Sequence, residues 1–178
     1  VPERILTNEE LSKIVDTSDE WITSRTGIKE RRIAAEDEFT SDMATKAAER
    51  ALDQAGIKAE DVELIIVATI TPDTPTPATA CYVQAKLGAL SAVAFDISAA
   101  CSGFLYAMKL AKCLISDGAY TNAIIIGAEK LSSVTNWQDR NTCVLFGDGA
   151  GAAVLRRAEV GEGRVLATEV GTDGRHSH

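Results

Sequence analysis

The sequence predicts an α/β fold built on a mainly parallel sheet with helices on both faces. Three observations predict it. Leu64–Ala68, Val93–Ile97 and residues 123–128 are strand-length and nearly apolar throughout, as strands buried on both sides must be. Segments with helical spacing of apolar residues alternate with them. Hydrophobic residues make up 46% and charged residues 25% of 178, enough apolar surface for a real core.

Residues 1–35 read as charged and helical. Thr7 or Asn8 caps a short helix through Val15. Thr17-Ser18-Asp19-Glu20 caps another around Trp21, and Gly27 ends it. Residues 28–33 alternate weakly, as a short strand or hairpin arm does. Thr40 or Ser41 caps the next helix. Its apolar positions Met43, Ala44, Ala47, Ala48, Ala51, Leu52 and Ala55 share a face, and Gly56 supplies the left-handed stop.

The first buried strand, Leu64–Ala68, leads into residues 71–77, which hold three of the four prolines and form a stiff loop. Pro77 suits the first turn of a helix running to Gly88. After Val93–Ile97, residues 102–116 are helical, with Phe104, Ala107, Met108, Ala111, Leu114 and Ile115 on one face. Residues 123–128 are the third buried strand. Residues 143–146 extend briefly, 147–151 turn, and 152–155 and 165–170 are the final strands. No linker or repeat divides the chain, so 1–178 is one unit.

The formal charge of −8 argues against bulk binding to nucleic acid or an anionic membrane. No apolar run approaches the roughly 18 residues of a membrane span. Cys81, Cys101, Cys113 and Cys143 show no CxxC spacing and no neighbouring histidine, so no metal site is expected, and a reducing cytoplasmic setting is. The three cysteines other than Cys101 read as core or near-core. Arg31-Arg32 and Arg156-Arg157 read as solvated pairs.

Phe95-Asp96-Ile97-Ser98-Ala99-Ala100-Cys101-Ser102-Gly103-Phe104 carries the chemistry. A buried strand ends in small residues, one cysteine follows, and a helix begins at once, as in a nucleophile elbow. Small neighbours admit a substrate, Gly103 permits close packing, and a helix N-terminus stabilises a thiolate. Such a thiolate can attack a thioester and hold its acyl group. The residues alone also allow a buried structural cysteine, the commoner case. Trp21 is either a helix anchor or a stacking face, and Arg25 either a surface charge or a phosphate ligand. Gly147-Asp148-Gly149-Ala150-Gly151 lacks the register of a dinucleotide loop and reads as a turn.

Residues 96–104 resemble the active-site segment of the β-ketoacyl-[acyl carrier protein] synthase III family. Val1-Pro2-Glu3-Arg4, residues 16–21, Ser24-Arg25-Thr26-Gly27-Ile28, Asp139-Arg140-Asn141-Thr142 and residues 146–153 resemble it in the same order. The resemblance implies a thiolase-like α/β/α sandwich, of which this chain is one half of a duplicated fold, and the initiating condensation of type II fatty acid synthesis. Cys101 would take an acyl group from acyl-coenzyme A. Malonyl-[acyl carrier protein] would then lose carbon dioxide and attack the acyl-cysteine. Coenzyme A is thus implied as substrate, with no permanently bound cofactor, and the enzyme as a homodimer. Trp21 and Arg140 would hold the adenine, with Arg25 and Thr17 at the phosphates. Leu131, Leu145 and Phe146 match acyl-pocket walls. Thr76 stands where many relatives carry a bulky aromatic on a loop that crosses the dimer interface, which implies room for longer primers. A polyketide-priming condensing enzyme and a non-catalytic dimerising domain are the alternatives.

The resemblance also implies a catalytic histidine and asparagine that this sequence does not supply. Its only histidines are His176 and His178, in a polar tail that does not match the family's motif. The chain is therefore expected to be the N-terminal, cysteine-bearing lobe, lacking the first strand and the C-terminal lobe, and inactive in condensation by itself. The missing strand is expected near the middle of the sheet, leaving a gap there.

Overall fold

The computed structural model describes residues 1–159 and 161–176. Ten of its elements position the site: β1 (Arg4–Thr7), α1 (Asn8–Leu11), α2 (Asp19–Thr26), β2 (Glu30–Ile33), α3 (Thr40–Ala55), β3 (Leu64–Ala68), α4 (Thr79–Leu87), β4 (Val93–Ile97), α5 (Gly103–Ser116) and β5 (Asn122–Lys130), with β6 (Asp148–Arg156) closing the sheet. The main sheet runs β4-β3-β5-β6, parallel except for the antiparallel β5–β6 pair. It is continuous, so the expected gap near its middle is not there.

Side chains alternate across a strand, and both sets here are apolar. Ile65, Val67, Ile124 and Ile126 face α3 and α4, meeting Ala44, Ala48, Leu52, Ala80 and Val83. Leu64, Ile66, Ala123 and Ile125 face α5, meeting Ala107, Ala111 and Ile115. Each fully buried isoleucine contributes on the order of 1.5–3 kcal/mol. Alanine dominates the helical faces, which lets the helices lie close to the sheet.

Outside this sandwich, β1 and β2 form a small antiparallel sheet. β1 was not foreseen, because a four-residue strand with one buried side chain, Leu6, has almost no periodic signal. Its neighbours do follow the sequence. Thr7 caps α1 by accepting from the Glu10 N–H, while the Glu10 carboxylate accepts from the Thr7 N–H. Ser18 caps α2, and Gly27, at φ 74°, ends it.

Several expectations need correction. The N-cap of α3 is Phe39, whose N–H is taken by the Asp42 carboxylate. Pro77 lies before α4, whose first N–H groups, from Thr79 and Ala80, donate to the Asp96 carboxylate on β4. Residues 143–146 sit in turns and connecting backbone, while Asp148–Arg156 is one unbroken strand through its glycines. Residues 165–170 form no strand. Cys113 is exposed on the outer side of α5, and Arg31 is buried. His178 lies outside the described residues. Among the described residues, no helix is long and apolar enough to cross a membrane.

Candidate active site

β4 ends at Ile97 beside the end of β3, and the chain must turn from sheet to helix within five residues. It does so through one 3-10 turn, Ala100–Ser102, from which α5 starts at Gly103. Ala100 has φ 45°, the only positive value outside glycine among the described residues. That conformation costs an alanine about 1–3 kcal/mol, held by the surrounding packing. Gly103 makes the turn possible: a Cβ there would stand 2.9 Å from the Ala68 Cβ. The first turn of α5 is therefore seated on the last residue of β3.

Cys101 is at the crest of this turn and is exposed. It opens onto a cavity of about 600 Å³ whose walls include Ile70, Phe104, Leu131, Val134 and Phe146. Gly127 also lines it, beside the Phe104 ring. Glu129 also borders the cavity, but its carboxylate accepts from the Ile70 and Thr71 N–H groups and both threonine hydroxyls, Thr69 and Thr71. The wall facing the sulfur is thus mainly hydrocarbon. An exposed thiol beside an apolar cavity, at the start of a 14-residue helix, suits an acyl thioester: the sulfur is open to attack on a carbonyl carbon and the cavity has room for the chain.

Leu131 and Phe146 line this cavity. Leu145 is not among its walls and is 45% exposed. Thr76 is exposed and also lies away from its own chain's cavity. The other cysteines stand apart from it. Burial pushes the Cys143 thiol up, Asp139 pushes it further, and Arg31 only partly opposes them, so Cys143 is an inert core group.

A second cluster forms around Trp21. The Arg25 guanidinium carbon is 4.5 Å from the Trp21 ring centroid and that of Arg140 is 4.9 Å. Both are cation–π distances. Arg140 also donates to the Asp16 carbonyl at 3.1 Å. Thr17 adds a buried hydroxyl oxygen with no partner among the described residues. Trp21, Arg25 and Arg140 therefore occupy one patch, assembled from α2 and the turn at 139–145, and Thr17 lies just ahead of α2 in the chain. An indole with two guanidiniums beside it offers a flat stacking face and charge for phosphate oxygens. No group of three potential metal-ligating side chains occurs among the described residues.

Two buried polar residues in this region were missed. Arg31 is 6% exposed and Asn8 1% exposed. Period two in β2 was the available signal, since it places Arg31 on the same face as buried Ile33. Asp148 was missed as well. It is buried and accepts from the Ala34 N–H, the Ser132 N–H and the Ser132 hydroxyl, joining β6 to both neighbouring loops.

Residues 95–174 match the family model described as 3-Oxoacyl-[acyl-carrier-protein (ACP)] synthase III. A curated β-ketoacyl-[acyl-carrier-protein] synthase III from Caldanaerobacter subterraneus subsp. tengcongensis is 61% identical over 174 residues, 98% of this chain and 52% of the relative. The solved 3-oxoacyl-[acyl-carrier-protein] synthase III of Aquifex aeolicus VF5 is 59% identical, with a TM-score of 0.87 over 89% of this chain and 51% of the other. The priming β-ketosynthase of a polyketide biosynthetic pathway is 38% identical, with a TM-score of 0.86 over 89% and 48%. The chain spans about half the length of the curated relatives it matches.

Proposed function

Since the chain belongs to the β-ketoacyl-[acyl-carrier-protein] synthase III family, we propose that it is the cysteine-bearing part of the condensing enzyme that initiates type II fatty acid synthesis. The fold is the α/β/α sandwich of its thiolase-like structural relatives. The observation that carries the functional reading is Cys101, exposed at the sheet-to-helix turn beside an apolar cavity.

In the first stage, the Cys101 thiolate attacks the thioester carbon of acyl-coenzyme A. A new carbon–sulfur bond forms, the old one breaks, and coenzyme A leaves as its thiol after taking up a proton. Trp21, Arg140, Arg25 and Thr17 hold the nucleotide end of the donor. In the second stage, malonyl-[acyl carrier protein] releases carbon dioxide, and the electron pair left behind attacks the acyl-cysteine and restores the thiolate. Residues 1–178 do not supply the histidine and asparagine that the resemblance implies for stabilising the developing enolate.

The homodimer is part of the same reading. β4 ends the sheet with a free edge, and Val93 is 48% exposed there. The exposed Thr76 loop leaves the sandwich nearby and is free to close a partner's cavity. A threonine at that position supports primers longer than acetyl. The four cysteines, all unpaired, support a cytoplasmic setting. A polyketide-priming role rests on the 38% identical relative and is the second reading.

The test supplies the full-length protein with acetyl-coenzyme A and malonyl-[acyl carrier protein]. Acetoacetyl-[acyl carrier protein], absent with Cys101→Ala, is the expected product. No ketoacyl product from the intact protein with any acyl donor would overturn the reading.

A further inference from the structure

We propose that Arg31 is a positioning residue for the nucleotide end of the acyl donor: its buried guanidinium locks the Trp21 helix and the Arg140 turn into one register. The proposal rests on the coenzyme A reading of the Trp21 patch and adds a residue that does not touch the donor.

Arg31 is an expensive residue to bury. Among the described residues, none of its hydrogen-bond acceptors is charged, and its Nε has no partner. A group needed only for packing would be better replaced by an apolar side chain. What the guanidinium does is join β2 to two segments distant in sequence, residues 6–8 and the turn that holds Val144. Nη1 donates to the Leu6 carbonyl on β1 at 3.3 Å. Nη2 donates to the Asn8 Oδ1 at the start of α1 and to the Val144 carbonyl, both at 2.9 Å.

Two of these acceptors, Asn8 and Val144, lead to the two sides of the Trp21 patch. Asn8 passes the link to α2: its Nδ2 donates to the Asp19 carboxylate at 2.8 Å and to the Ile28 carbonyl at 2.7 Å. These residues flank Trp21 and Arg25. Val144 passes it to Arg140, because the Cys143 N–H donates to the Asp139 carbonyl at 2.9 Å and the Leu145 N–H to the Thr142 carbonyl at 3.0 Å. The turn at 139–145 is therefore tied together by its own backbone hydrogen bonds. Close approach behind it needs Gly147, where a Cβ would stand 3.0 Å from the Arg31 Cβ and 3.0 Å from the Arg32 carbonyl oxygen. Trp21 and Arg140 lie 119 positions apart in sequence; Arg140 meets the Trp21 side directly at the surface through the Asp16 carbonyl, and Arg31 bonds to both supporting frameworks from beneath.

Arg31→Lys in the full-length protein tests this. Lysine keeps the charge but cannot present a rigid fork to acceptors on three sides. Cys101 acylation is timed with subsaturating acetyl-coenzyme A and with acetyl-pantetheine, which lacks the nucleotide. The expected result is a roughly tenfold slower reaction with acetyl-coenzyme A, as small misplacements of a binding group produce. Acetyl-pantetheine should react within about twofold of wild type. Equal slowing of both donors would make Arg31 merely structural, and no slowing of either would remove its role. Both overturn the proposal. If Arg31→Lys does not fold, Asn8→Ala, which cuts only the link to α2, is judged by the same split. Wild-type protein acylated equally well by both donors would instead sink the nucleotide-site reading, and one acylated by neither would sink the reading of Cys101. The proposal falls with either.

Discussion

Gly103 and Ala68 touch so closely that one added carbon would not fit: a Cβ on Gly103 would stand 2.9 Å from the Ala68 Cβ. The contact fixes the height of α5 over β3, and with it the place of Cys101 two residues earlier. Gly103→Ala should therefore destabilise the protein by about 1–3 kcal/mol, as overpacking does, and slow Cys101 acylation. Adding Ala68→Gly should recover much of both losses. Denaturant unfolding and acylation rates of the single and double variants check this as a mutant cycle.

The Trp21 patch predicts a binding defect. Trp21→Ala and Arg140→Ala should each weaken acetyl-coenzyme A by about 0.5–2 kcal/mol, the range of a cation–π or stacking contact. Steady-state kinetics should show this mainly as a higher KM. A lower kcat with KM unchanged would move the nucleotide elsewhere.

Asp42 predicts an acid limit to stability. Burial alone would raise its pKa, but the bonds from Lys86 at 2.6 Å and from the Phe39 N–H at 2.8 Å prevail and hold it below the ordinary carboxylate range. The folded pKa is thus lower than the unfolded one. Below the unfolded value, the unfolded state binds more protons, so this stabilisation is complete above that pH and disappears as pH falls through the folded pKa. Asp42→Asn should flatten that part of the stability–pH curve, measured by urea unfolding. The pair is partly exposed, so added salt should shrink the effect.

Thr76 predicts primer range. Full-length protein should turn over octanoyl-coenzyme A as well as acetyl-coenzyme A, and Thr76→Phe should suppress the longer donor selectively. Strict acetyl preference in the wild type would contradict the reading of that loop.

Where the sequence was legible, burial was the reason. Leu64–Ala68 and the core of Asn122–Lys130 have apolar residues on both faces, so their strand character did not depend on context. Cys101 stood out because small residues and a helix start surround it. Asp148–Arg156 was half hidden: its three alternating glycine and alanine positions read as a turn, yet nine ladder pairs with β5 override the local preference of glycine. Arg31 was hidden for another reason. A charged doublet looks solvated until the segment is known to be a strand, and only then does alternation turn Arg31 inward. Cys113 was a misreading of the helix itself, since it falls between the core positions Ala111 and Leu114 and faces outward.

The central claim is that the Cys101 sulfur accepts an acyl group from a coenzyme A thioester. Mass spectrometry of peptides from the full-length protein, after brief incubation with acetyl-coenzyme A alone, tests it most directly. The account predicts one acetyl group, on Cys101, released by hydroxylamine as a thioester is. An unmodified Cys101 under conditions where the protein binds coenzyme A, or acetyl carried only on another residue, would contradict it.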